Sequence, residues 1–145
     1  MTTRGVRRAA ALLRWTIGLV LVATGAGKLL DIRGFAEILR SYEILPAGSL
    51  LPLAVAVPMA ELALAFWLFS GRRLVGAGAA SAGMHLAYAA WSAAALMRGL
   101  SLSNCGCFGV FLARPLTGQT VAEDLVMVAL SVALAVCARR LRGSE

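Results

Sequence analysis

The feature that most constrains this chain is a series of long, nearly uncharged apolar runs separated by short basic clusters. A helix needs about 20 apolar residues to cross a hydrocarbon core about 30 Å thick, since each residue advances it about 1.5 Å. Residues 50–70 and 74–97 meet that requirement clearly, and 121–138 is just long enough. The first run, 9–30, carries Arg14 near its start, where a long side chain can snorkel to the interface. Its basic start and the small residues Thr24-Gly25-Ala26 resemble a signal peptide. Retaining it as a span keeps both termini on one side, so retention is expected. The pattern predicts an all-α fold: one domain over 1–145, a polytopic four-helix transmembrane bundle.

Composition points the same way. Sixty per cent of the 145 residues are apolar and only 14% are charged, against roughly 45–50% apolar for an ordinary soluble domain. A soluble domain of this size has too much surface for its volume to bury that much hydrocarbon. The lipid bilayer is therefore the expected partner. The net charge of +7 does not indicate nucleic acid. Its basic residues cluster beside apolar runs, with no basic stripe interleaved with aromatics.

Charge also orients the spans. Arg4, Arg7, Arg8 and Arg14, the turn Arg72-Arg73, and Arg139, Arg140 and Arg142 fall on one side. Lys28, Arg33, Arg40, Arg98 and Arg114 are spread through two longer loops that also hold acidic residues. Both termini are thus expected in the cytoplasm of a bacterial inner membrane, with Cys105 and Cys107 outside. Between the first two spans, Phe35, Ile38, Leu39 and Tyr42 recur at helical spacing opposite Arg33, Glu37 and Arg40. This predicts a short amphipathic helix on the membrane surface, ending at Leu45-Pro46. Thr120-Val121-Ala122-Glu123 has capping-box spacing and is expected to start the fourth helix.

Chemistry concentrates in Cys105-Gly106-Cys107. A disulfide across one residue closes a very small ring, which needs the backbone freedom of glycine. Such a bond adds little chain-entropy stabilisation and suits thiol–disulfide exchange. The pair is the expected catalytic group, and an extracytoplasmic location would let a disulfide persist. Two other readings stay open: small residues in a tight turn, or a two-coordinate soft-metal site for Cu(I) or Hg(II). A closed zinc site is hard to complete, because the single histidine lies deep in the third span. Cys137, alone among alanines and valines, reads as a small apolar side chain.

Glu61 and His85 each lie about 16 Å along their runs, near the midplane. A charge there costs roughly 2.5–3.5 kcal/mol, so Glu61 is expected either protonated or paired. Gly78, Ser81, His85, Tyr88 and Ser92 share one face of the third span, which should point inward. Glu61, His85 and Tyr88 form either a polar clamp or a proton relay and quinone pocket. Gly25, Gly27, Gly76, Gly78 and Gly83 are expected to let helices approach. Trp15, Trp67 and Trp91 read as interfacial or packing aromatics. Pro52 and Pro58 are candidate kinks in the second helix.

Taken in order, several motifs resemble the methylamine-utilisation MauE proteins, grouped with the wider DoxX-like membrane proteins. They are Gly25-x-x-Lys28-Leu29, Phe35 through Tyr42-x-x-Leu45-Pro46, Pro58-x-x-Glu61, Arg98-Gly99, Cys105-Gly106-Cys107-Phe108-Gly109 and Asp124. Glu123 stands where these relatives carry an arginine beside the Asp124 position. The resemblance implies a four-helix membrane protein of extracytoplasmic redox maturation, linked in MauE to making methylamine dehydrogenase and in DoxX relatives to quinone-linked oxidation. From the residues and the resemblance together, the expected function is thiol–disulfide exchange with a periplasmic thioredoxin-like protein or client. A quinone is the expected cofactor, if any. Soft-metal binding or transport and a non-catalytic assembly role are the alternatives.

Overall fold

A computed structural model describes residues 3–143. Its elements are α1 (Thr3–Leu29), α2 (Ile32–Ser41), α3 (Ala47–Ser70), α4 (Leu74–Met97) and α5 (Gly118–Arg142). Among the described residues there is no strand. α1, α3 and α5 are long and apolar enough to cross a membrane. α4 has the same length as α3 and occupies the expected third-span residues, but it is not among the helices apolar enough for that test. The structure thus bears out three long apolar spans, with 74–97 a helix of spanning length but lower apolarity. Its glycines and serines, with His85 and Tyr88, dilute its hydrocarbon.

α4 packs most extensively on α5, and α1 on α3 and α5, whereas α3 and α4 touch each other lightly despite their shared turn. The inner core joins Ile17 and Leu21 of α1, Leu64 and Leu68 of α3, Ala77 of α4 and Leu134 of α5. Gly78 brings α4 against the α5 backbone: a β-carbon there would stand 2.9 Å from the Ser131 carbonyl oxygen. Ser81 and Ser131 share a hydroxyl hydrogen bond of 2.9 Å in this seam. Gly83 faces open space, so its expected role in helix approach is not observed.

The two ends of the fold differ. Trp15 stacks on Phe69 at 4.8 Å, and Ala10 and Leu141 join one cluster. The N-terminal half of α1, the end of α3 and the end of α5 therefore lie together. The three basic clusters share that end. α2 and the cysteine loop occupy the other.

Local chemistry moves three expected boundaries. α2 begins after Asp31, whose carboxylate accepts the Gly34 N–H at 2.8 Å. It ends at Ser41 rather than at Leu45-Pro46, because Glu43 turns to φ 54°. Pro46 is instead the N-cap of α3, which runs through Pro52 and Pro58 as one helix. α5 starts at Gly118, where the Thr117 N–H donates to Thr120 Oγ1 at 3.3 Å. The reciprocal cap thus joins Thr117 to Thr120, not Thr120 to Glu123. α2 also differs in what it covers. Phe35 and Tyr42 are buried, so its apolar face closes over the protein interior instead of resting on lipid.

Candidate functional site

At the end away from the basic clusters, all five helices and the cysteine loop enclose a cavity of about 430 Å³. Its walls bring together Glu61, His85, Tyr88, Cys105 and Cys107. These are the residues singled out from sequence as catalytic or cofactor-binding. Lys28 and Asp124 join them.

Glu61 is paired. Its carboxylate accepts from Lys28 Nζ at 2.7 and 2.9 Å and from the Tyr88 hydroxyl at 2.9 Å. Lys28 is 4% exposed and Glu61 1%, so these are two charges removed from solvent that neutralise each other. Lys28 Nζ also lies 5.8 Å from the Phe35 ring centre and 5.7 Å from that of Tyr88, within cation–π range. Read from sequence, Lys28 is an outer-loop cation and part of a family motif. Nothing there connects it to Glu61, because a lysine ending an apolar run usually snorkels to the interface.

His85 stands on another wall, 4% exposed. Its Nδ1 is 3.6 Å from Asp124 Oδ1, beyond hydrogen-bond length. Neither ring nitrogen has a hydrogen-bond partner among the described residues. The expected inward face of α4 is present: Gly78, Ser81, His85 and Ser92 are buried, and Tyr88 partly so.

The cysteine loop is held from three sides. Asn104 brackets it, accepting the Gly106 N–H at 2.9 Å and donating to the Gly109 carbonyl at 3.1 Å. The buried Tyr42 hydroxyl donates to the Cys105 carbonyl at 2.8 Å, and Arg98 Nη1 donates to the Tyr42 carbonyl at 2.8 Å. The loop backbone sits directly on the end of α1, where a β-carbon on Gly27 would meet the Phe108 carbonyl. Gly106 and Gly109 have φ of 76° and 74°, a left-handed backbone that other residues seldom adopt.

The two Sγ atoms lie 2.6 Å apart, with Cys105 buried and Cys107 partly exposed. Sulfurs this close need move only about half an ångström to bond, since a disulfide is about 2.05 Å long. In the reduced pair one proton is shared. The Cys107 S–H hydrogen-bonds to the Cys105 sulfur, which brings Cys105 down to about 6 against the opposing effect of burial. The Cys107 N–H at 3.4 Å and the Arg114 charge assist. Cys107 moves the other way, raised first by that hydrogen bond and by burial, and then by the charges of Cys105 and Asp124. Cys105 is thus the more acidic and more buried sulfur, and Cys107 the less acidic and more exposed one.

Arg114 pairs with Glu123 through two contacts of 2.7 and 2.9 Å. Cys137 packs against the inner core, as its apolar surroundings imply. Among the described residues no group of three or more histidine, cysteine or acidic side chains is placed to hold a metal ion.

The family model described as methylamine utilisation protein MauE matches residues 6–137. The chain is 32% identical over 123 residues to the methylamine utilization protein MauE of Paracoccus denitrificans. That alignment covers 85% of this chain and 66% of the relative, so the chain spans just under two thirds of that protein's length. No solved structure matches.

Proposed function

This chain belongs to the methylamine utilisation MauE family, and on that premise we propose that it is a four-span membrane thiol–disulfide exchange protein. It would serve the maturation of a periplasmic thioredoxin-like protein or client. The observation that carries this reading is the Cys105–Cys107 pair, with sulfurs 2.6 Å apart, lining the cavity.

α4 serves as the fourth span because its polar residues are turned inward. It therefore presents mainly alanine, leucine and valine elsewhere. The gathering of the basic clusters at one end supports an orientation with both termini in the cytoplasm and the cysteine loop outside, in a bacterial inner membrane.

Exchange follows from the unequal sulfurs. In the disulfide form a partner thiolate attacks Cys107, and Cys105 leaves as a thiolate favoured by its low pKa. The partner's second thiol then attacks the mixed disulfide. It forms the partner's disulfide and returns Cys107 as a thiol. Two electrons have passed into the pair.

Restoring the Cys105–Cys107 bond requires those electrons to leave. The cavity falls within the usual 300–1,000 Å³ of small-molecule sites. Its apolar walls, including Leu53, Val57, Trp91 and Met127, suit a membrane quinone. His85, Tyr88 and Trp91 would hold such a carrier, which when bound accepts two electrons and two protons.

Trapping tests the exchange. In cells, Cys105→Ser should accumulate a mixed disulfide through Cys107, and the captured protein should be an extracytoplasmic thiol protein. The absence of any mixed disulfide from either single serine variant would overturn the proposal.

A further inference from the structure

Two ionisable clusters face the cavity, and only one is free to move a proton. Glu61 accepts three hydrogen bonds, two of them from a buried ammonium. Protonating it would leave the buried Lys28 ammonium without its counter-charge, which is strongly unfavourable. Glu61 is therefore a fixed counter-ion. His85 has the opposite character, being buried with both nitrogens uncommitted. A neutral imidazole leaves one donor and one acceptor unsatisfied there, which is unfavourable for buried polar groups. A site that tolerates this has something for those nitrogens to do.

The surroundings show what that is. Protonated His85 would carry an N–H on each nitrogen, and its Nδ1 stands 3.6 Å from Asp124 Oδ1. Cys107, Asp124 and His85 all line the same cavity. The other groups facing His85 are already committed. Tyr88 donates to Glu61, Glu61 is held by Lys28, and Glu123 is held by Arg114.

We infer that His85, oriented by Asp124, is the proton-carrying residue of the cavity, passing protons from the cysteine pair to a quinone-class carrier. This deepens the exchange reading above and rests on it. Re-forming the disulfide from the Cys105 thiolate and the Cys107 thiol breaks one S–H bond, makes one S–S bond and releases two electrons and one proton. A bound quinone-class carrier would take up both electrons and two protons. His85 would give it one proton and regain one from the Cys107 thiol, ending unchanged, and the second would come from the aqueous phase outside the membrane. Asp124 is a positioning residue that would hold the imidazolium and carries no proton itself.

The test uses the full chain in detergent with decylubiquinone as the probe. Reduced protein is mixed with the quinone and formation of the Cys105–Cys107 disulfide is timed across pH. Quinone binding is read separately by quenching of tryptophan fluorescence, since Trp91 lines the cavity. His85→Ala should slow disulfide formation about 100-fold or more, the usual worth of a general acid or base, and added imidazole should restore part of the rate. Asp124→Asn should slow it less and displace its pH profile. Both variants should unfold within a few degrees of the wild type in detergent, which shows that the bundle is intact. Wild-type oxidation with both variants equally fast would overturn the role of His85 and leave the exchange reading intact. A wild-type pair that neither binds decylubiquinone nor is oxidised by it would overturn the quinone-linked reading and this inference together.

Discussion

Lys28, in the last turn of α1, and Glu61, within α3, are joined by contacts of 2.7 and 2.9 Å, with both side chains at most 5% exposed. The pair ties the first helix to the third beside the cysteine loop, and the Tyr88 hydroxyl brings α4 into the same knot. Desolvating two charges is costly, so the contribution of the pair is conditional on both partners being present.

The first prediction follows directly. Lys28→Met or Glu61→Gln alone should lower stability by about 3–5 kcal/mol, because each leaves a buried charge uncompensated. The double variant Lys28→Met with Glu61→Gln should recover most of that loss. Thermal unfolding in detergent measures all three, and a double variant as unstable as the sum of the singles would show that the pair is not the coupling.

A second prediction concerns thiol reactivity. With Cys105 lowered to about 6 by its hydrogen bond from Cys107, its thiolate fraction rises through pH 6 and is nearly complete at pH 7. Alkylation of the reduced protein should therefore plateau by about pH 7. Cys107→Ser exchanges the S–H donor for a differently placed hydroxyl, so the inflection should move toward the ordinary thiol range near 8.5. An unmoved inflection would assign the shift to Arg114 and the Cys107 N–H instead.

Tyr42 supplies a third. Its hydroxyl donates to the buried Cys105 carbonyl at 2.8 Å, and burial raises its own pKa above the ordinary tyrosine value. Tyr42→Phe keeps the ring against Trp91 but orphans that carbonyl, a loss of about 1–3 kcal/mol. The variant should unfold at lower temperature and expose Cys105 to faster alkylation below pH 6. Unchanged values for both would mean that Asn104 and the Gly27 contact suffice to hold the loop.

Much of this arrangement is legible in the sequence, and the parts that are not share a cause. Apolar runs at helical length give α1, α3 and α5, and the spacing of Gly78, Ser81, His85 and Ser92 gives the inward face of α4. Long-range pairing is hidden, because periodicity reports which face of a helix is buried and not what it meets. Glu61 is recognisable as a residue in need of a partner, yet Lys28 lies 33 residues away behind a turn and α2. What the apolar face of α2 meets is hidden in the same way. Its apolar stripe fits lipid or protein equally, and only the cysteine loop beneath Phe35 and Ile38 decides between them. The α5 cap is misplaced by three residues because Thr117 and Thr120 both carry hydroxyls, and Glu123 is taken by Arg114.

Topology is tested by accessibility. A membrane-impermeant thiol reagent applied to intact spheroplasts should label reduced Cys107 and spare Cys137. Labelling of Cys137 alone would invert the orientation.

The most direct measurement is the redox state of Cys105 and Cys107 in living cells, fixed by acid quenching and read by alkylation with a mass-tagged reagent. Respiratory quinones are held oxidised in one culture and reduced in the other. The relay requires a measurable disulfide fraction when the pool is oxidised and a shift toward the dithiol when it is reduced. A pair that stays wholly reduced in both cultures, and copurifies with stoichiometric copper or mercury, would contradict it.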